Sequence, residues 1–194
     1  MKAFYIDEVV RLTAIFMNYV SWIIQTGHYK REEEIMRNVV LARVDERLLH
    51  GQIVTKWMQA TGANIIVMVD DALVNDRMMC TVFKGMKPIG TTVEIFTVDQ
   101  AIAYFQAEPG KNEKIILLVK YPQTFVKMFD AGITFDKVIF GAASKIKGRD
   151  KQIIRDMFAS QEELEAIRNL IGRNVLLQYQ LAIDAKPIKL DGLV

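Results

Sequence analysis

Val39-Val-Leu-Ala-Arg-Val-Asp-Glu-Arg-Leu-Leu-His-Gly-Gln52 is the stretch on which the reading of this chain turns. Val39 to Val44 is a short apolar run of the kind that forms a strand, and it breaks off into charged residues before an amphipathic segment at Gly51 to Ala60. The same succession recurs downstream. Strands are expected at Asn64 to Val69, Thr92 to Phe96, Ile115 to Val119, Val138 to Phe140 and Val175 to Tyr179. Between them, helices are expected at Asp76 to Met86, Val98 to Gln106, Gln123 to Asp130 and Gln161 to Leu170. Ser160 followed by Glu163 makes a capping box for the last helix, hydroxyl and carboxylate each satisfying the other's free amide. Repeated strand-helix-strand units predict an α/β fold, a mostly parallel, doubly wound sheet with helices on both faces.

The 194 residues, 51% of them hydrophobic, suffice for one sizeable core. A formal charge of +2 is too small for a nucleic-acid binder, although it allows a local basic site for phosphate. Cys80 is alone, so no internal disulfide can form, and no Cys and His cluster has zinc-ligand spacing. A cytoplasmic location and no bound metal are the expectation.

Residues 1–37 read as an apolar N-terminal extension to a domain at 38–194. Leu12 to Tyr29 lacks Lys, Arg, Asp and Glu, but polar residues interrupt it, and Asp7 and Glu8 stand where a signal peptide wants basic residues. Three consecutive Glu codons before Met36 give a purine tract resembling a ribosome-binding site. The extension therefore reads as translated leader with a natural start at Met36, or else as an amphipathic helix for a membrane surface or a partner.

In open parallel sheets ligands bind beyond the carboxyl ends of the strands, which directs attention to Arg43 through Gln52. Arg43 and Arg47 offer guanidinium forks for phosphate oxygens. The free amides of the following helix start favour an anion, and Gly51 lets backbone come close. His50 beside them is a nucleophile whose pKa lies near neutrality, and Asp45 can fix its tautomer. Leu49, Gly51 and Gln52 complete the expected phosphate-binding loop. Trp57, further along the helix, reads as core. Asp70 and Asp71 end the second strand, where they cap the following helix, position Arg43 or take a secondary part in chemistry.

Arg-x-Asp-x-Arg-Leu-x-His-Gly-Gln, followed by Val54 and Trp57, resembles the signature loop of the mannose, fructose and sorbose family of phosphotransferase system enzyme IIB components. The resemblance extends from about Asn38 to Val194. Ile65-Ile-Val-Met-Val-Asp-Asp71 is similar to that family's second strand, Met86-Lys-Pro-Ile-Gly90 to its next turn, and Ser160 through Gln180 to its last helix and strand. Phe140-Gly-Ala-Ala-Ser-Lys145 departs from the family's Gly-Gly-Met turn. Gly141 fits that turn, whereas Ala142 in place of a second glycine disfavours any contact that needs positive φ there. The proline often found after the last strand is missing from Gln178-Tyr-Gln-Leu181.

The resemblance implies that His50 is the phosphoacceptor, receiving its group from a phosphorylated IIA protein or domain. His50 would pass it to a hexose or amino sugar presented by the membrane subunits IIC and IID, with the chain bound peripherally to that permease. Arg43 and Arg47 would stabilise charge on the transferring group, and no cofactor is required. The sugar is not legible, and self-association stands open beside binding to IIC and IID. A receiver domain would use Asp70, Asp71, Lys120 and Pro122, but Asp99 is misplaced as its phosphoacceptor and the His50 loop goes unused. A non-catalytic IIB-like subunit is a further alternative. A nucleotide-binding enzyme lacks both glycine-loop spacings.

Overall fold

The computed structural model describes residues 37–194 and the isolated position Met17. The readings of the extension as leader or amphipathic helix lie outside the described residues. From residue 37 onward the chain forms one compact unit.

Six strands are parallel: β1 (Val39–Val44), β2 (Ile65–Val69), β3 (Thr92–Phe96), β4 (Ile115–Val119), β5 (Lys137–Phe140) and β8 (Leu176–Tyr179). A short β9 (Ile188–Lys189) pairs antiparallel with β8, giving the order β3-β2-β4-β1-β5-β8-β9. The strands fall within one residue of the expected spans because each is an apolar run bounded by polar residues. β4 (IILLV) is wholly buried, as a central parallel strand covered on both faces must be.

Alternate residues supply the two cores. Ala42, Val44, Val67, Val69, Leu117, Val119, Val138 and Phe140 meet α3 (Val98–Gln106), α4 (Pro122–Asp130) and α5 (Gln161–Gly172). Leu41, Ile66, Met68, Ile116, Leu118 and Ile139 meet Ile53, Trp57, Met58 and Phe83, which lie on a π-helical turn (Ile53–Trp57), on α1 (Met58–Thr61) and on α2 (Arg77–Gly85). Ser160 and Glu163 form both bonds of the expected capping box at α5, and Thr97 with Gln100 forms another at α3 that the sequence reading did not single out.

Two differences from the sequence expectation bear on the site. The helix after β1 begins at Gly51 and widens into a π turn at Ile53–Trp57, so the carbonyls of that turn are offset from an ordinary α-helix. An antiparallel hairpin of β6 (Lys151–Ile154) and β7 (Met157–Ala159) also lies between β5 and α5. It docks on the loop after β5 through hydrogen bonds from Ala143 N to Asp156 O (3.1 Å) and from Phe158 N to Ala143 O (2.8 Å). β1 and β5 are neighbours whose onward connections run to opposite sides of the sheet, β1 toward β2 and β5 toward β8. This is the topological switch point, where open sheets bind ligands.

Candidate active site

β1 carries Arg43 near its carboxyl end, with its guanidinium facing Trp57, and Asp45 follows immediately after the strand. Both side chains are fully buried. Arg43 donates to Asp45 Oδ2 from Nε (3.2 Å) and Nη2 (2.9 Å), and to the carbonyl of Gln180 from Nη1 (2.9 Å). Its guanidinium carbon lies 5.2 Å from the Trp57 ring centroid, a cation–π contact made away from water. The expectation that Trp57 is core holds, with 2% of its surface exposed.

Asp45 is the hub. Oδ1 accepts from the Arg47 amide (3.2 Å) and Arg47 Nε (2.9 Å), and Oδ2 accepts from Arg47 Nη2 (3.0 Å). His50 Nε2 lies 3.3 Å from Asp45 Oδ2. Burial alone would push this carboxyl up, but the hydrogen bonds from His50 and Arg47 and the charges of Arg43 and Arg47 outweigh it, holding Asp45 well below the usual carboxylate range. An ionised carboxylate only accepts, so Nε2 of His50 carries the hydrogen in that contact and Nδ1 of the neutral ring keeps its lone pair. Burial pushes Arg43 below its ordinary pKa against the pull of Asp45, whereas the hydrogen bond to Asp45 raises Arg47.

The loop between Asp45 and His50 is a turn, closed by Leu48 N donating to Asp45 O at 3.0 Å. Leu48 takes a left-handed φ of 53°. This is a costly conformation for a branched residue, held because Leu48 and Leu49 are both buried in the core beneath the loop. Leu49 therefore anchors the loop by its side chain. His50 O receives the first bonds of the helix, from Ile53 N and Val54 N, so the imidazole stands at the helix entrance beside the first-turn amides of Gly51 and Gln52.

The two glycines of the site differ in what their missing side chain does within the chain. A Cβ on Gly51 would meet nothing within 4 Å, so no close backbone approach inside this chain requires it. A Cβ on Gly141 would lie 2.2 Å from Asp45 Oδ2 and 2.4 Å from Arg43 Nη2, so the glycine is what lets the end of β5 close over the Arg43–Asp45 pair. Among the described residues Ala142 has no positive φ; the turn after β5 makes no such demand.

Asp70 and Asp71 do not join this cluster. Asp70 Oδ1 accepts from the amides of Ala72 (2.9 Å) and Leu73 (2.7 Å), and Asp71 Oδ1 from that of Val98 (2.8 Å). Asp70 holds the amides of the turn that follows it without being that turn's N-cap, the cap of the next α-helix is Asp76, and Arg43 pairs with Asp45 instead. The receiver-like set dissolves accordingly, since Asp70 and Asp71 are bound to backbone amides. Sequence reasoning missed the C-terminal contribution. Gln180 gives its carbonyl to Arg43, while its side-chain amide donates to Ile183 O (3.1 Å) and Ala185 O (2.8 Å), ordering the loop that lacks proline. Among the described residues no helix is long and apolar enough to cross a membrane.

Fold and site together set the chain among the doubly wound α/β proteins that work at the carboxyl ends of their strands. The family model for the phosphotransferase system (PTS) sorbose subfamily IIB component matches residues 39–194, and the chain belongs to that family. It is 30% identical over 153 residues to the sorbose-specific EIIB component of Lacticaseibacillus casei, covering 79% of this chain and 89% of that protein. It is 28% identical to the fructose-specific EIIB component of Bacillus subtilis, covering 77% and 92%. The solved structure of manxB from Thermoanaerobacter tengcongensis superposes with a TM-score of 0.73 at 31% identity, covering 82% of this chain and 96% of that one. The chain is thus a sugar-specific PTS IIB component in a family of phosphotransferases whose partners are IIA and the IIC and IID subunits.

Proposed function

We propose that His50 accepts a phosphoryl group from a phosphorylated IIA partner and transfers it to a hexose or amino sugar during uptake through IIC and IID. The observation that carries this reading is the contact of His50 Nε2 with the buried, ionised Asp45, which leaves Nδ1 as the nucleophile. In-line attack by Nδ1 forms the N–P bond as the donor's N–P bond breaks. Transfer to the sugar then forms an O–P bond and returns the imidazole to its neutral state, with the hydroxyl proton lost to solvent or a base on the sugar side.

Arg47 is the cation offered to the transferring group. Its side chain is 43% exposed, and Nη1 has no partner among the described residues. The first-turn amides of Gly51 and Gln52 add an anion-favouring field. Arg43 acts one step back, because its guanidinium is committed to Asp45 and Gln180 O and holds the carboxylate that orients the ring. The chain works in the cytoplasm, docked peripherally on its permease, and needs no cofactor. The sugar is set chiefly by IIC and IID.

The test is phosphoryl transfer from phosphoenolpyruvate through the general PTS proteins and the cognate IIA to wild type and to His50→Ala. The expected result is acid-labile, base-stable label on the wild type alone. Equal labelling of both proteins would remove His50 from the role.

A further inference from the structure

The loop that carries Asp45 and Arg47 is pinned from two sides, and the second pin lies outside the site described above. Asp45 turns toward Arg43 and His50. Glu46, the residue between Asp45 and Arg47, reaches toward the loop after β5, where Oε1 accepts from Ser144 Oγ (2.5 Å) and Oε2 from Arg149 Nη1 (2.8 Å). Arg149 is 4% exposed, and the rest of its guanidinium is fixed by Glu163, Nε to Oε2 at 3.0 Å and Nη2 to Oε1 at 2.7 Å. Glu163 is itself held by the Ser160 amide at the start of α5 (2.8 Å). The Arg149 guanidinium also lies 5.7 Å from the ring of Tyr121, at the start of α4.

Arg149 and Glu163 already neutralise each other in a forked pair, so the buried guanidinium does not need a second carboxylate for its charge. What Glu46 gains from Arg149 and Ser144 is a fixed direction, and a fixed Glu46 fixes the backbone on which Asp45 and Arg47 stand. We infer that Glu46, clamped by Arg149, is a positioning residue for phosphoryl transfer: it holds Asp45 against His50 without touching the reacting atoms. The inference rests on His50 being the phosphoacceptor. Without the clamp the peptides around residue 46 can rotate, and displacements of about 1 Å cost up to ~100-fold in rate.

The experiment compares Glu46→Ala, Glu46→Gln and Glu113→Gln with wild type. Glu113 pairs with Arg37, far from the switch point at the amino end of β4, and serves as a stability control. Two readouts are taken, the rate of transfer from phosphorylated IIA and the 15N spectrum of the unphosphorylated His50 ring, which reports the tautomer directly. Glu46→Ala is expected to lose ~10- to 100-fold in kcat/KM, mainly in kcat, and to shift His50 from the Nε2–H form toward a mixture. Glu46→Gln, whose Oε1 can accept from Arg149 while its Nε2 donates to Ser144 Oγ, should restore the tautomer and stay within ~3-fold of wild type in rate. The proposal is overturned if Glu46→Ala keeps the wild-type tautomer and rate, or if Glu113→Gln at matched Tm loses as much. If the wild type takes no label on His50, the phosphoacceptor reading fails on its own, and the tautomer comparison still decides whether Glu46 positions Asp45.

Discussion

Asp45 and Asp70 occupy the same place in the fold. Each is the first residue after a parallel strand, Asp45 following Val44 of β1 and Asp70 following Val69 of β2, and in sequence each reads as an acid at a strand end. Their partners separate them. Asp70 accepts only from backbone amides and spends its charge on starting a helical turn. Asp45 accepts from the side chains of Arg43 and Arg47 and contacts His50, all at the topological switch point of the sheet. What sets Asp45 apart is the side chains that converge on it, and those converge where the topology divides.

The sharpest way to break that comparison is to remove each acid in turn. Asp45→Ala strands the buried Arg43, so it should destabilise the protein by about 3–5 kcal/mol and abolish detectable transfer. Asp45→Asn keeps the volume and should also lose transfer where the fold survives, as followed by phosphorylation of His50 alongside a urea melt. Transfer at wild-type rate in a folded Asp45→Asn protein would end the distinction between the two acids.

Next in size is Gly141→Ala, whose Cβ would fall 2.2 Å from Asp45 Oδ2. Forcing the pair apart should cost about 1–3 kcal/mol and slow transfer. Gly51→Ala meets nothing and should instead add up to ~1 kcal/mol through helix propensity. Paired thermal melts of the two variants read the difference in sign.

A pH titration sharpens the same point. The folded pKa of Asp45 is depressed, so its contribution to stability is fully present above the unfolded value of about 3.9 and is lost as pH falls below it toward the folded value. Stability of the wild type should therefore fall more steeply on acidification below about pH 4 than that of Asp45→Asn. Urea midpoints measured between neutral and strongly acid pH check this. The smallest effect belongs to Asp70→Ala, which should cost about 1 kcal/mol for the lost bonds to the Ala72 and Leu73 amides and leave transfer unchanged.

The strands were legible as short apolar runs, those of β1, β2 and β4 cut off by charge, and the start of α5 because a capping box precedes apolar periodicity. The β6–β7 hairpin was not. Lys151-Gln-Ile-Ile154 and Met157-Phe-Ala159 are too short and mixed to announce strands, and they are joined by Arg155 and Asp156 without a glycine. Within the site, Arg43, Asp45, Arg47 and His50 were visible together because they lie within eight residues. Their division of labour was not, since only burial shows that Arg43 holds Asp45 while Arg47 faces solvent. Gln180 escaped notice for a different reason. It contributes a main-chain carbonyl, which every residue possesses and no composition can flag.

That carbonyl has a consequence for biosynthesis. Arg43 is closed off by an acceptor 137 positions further along the chain. A ribosome delivering this protein has therefore made Arg43, Asp45 and His50 long before it makes the group that locks Arg43 in place. Until the strand preceding Gln180 has emerged and docked beside β5, Arg43 lacks one of its fixed acceptors and the site is incomplete. The clamp on Arg43 is thus one of the last parts of the fold to close, although the residue it holds is among the first to be made.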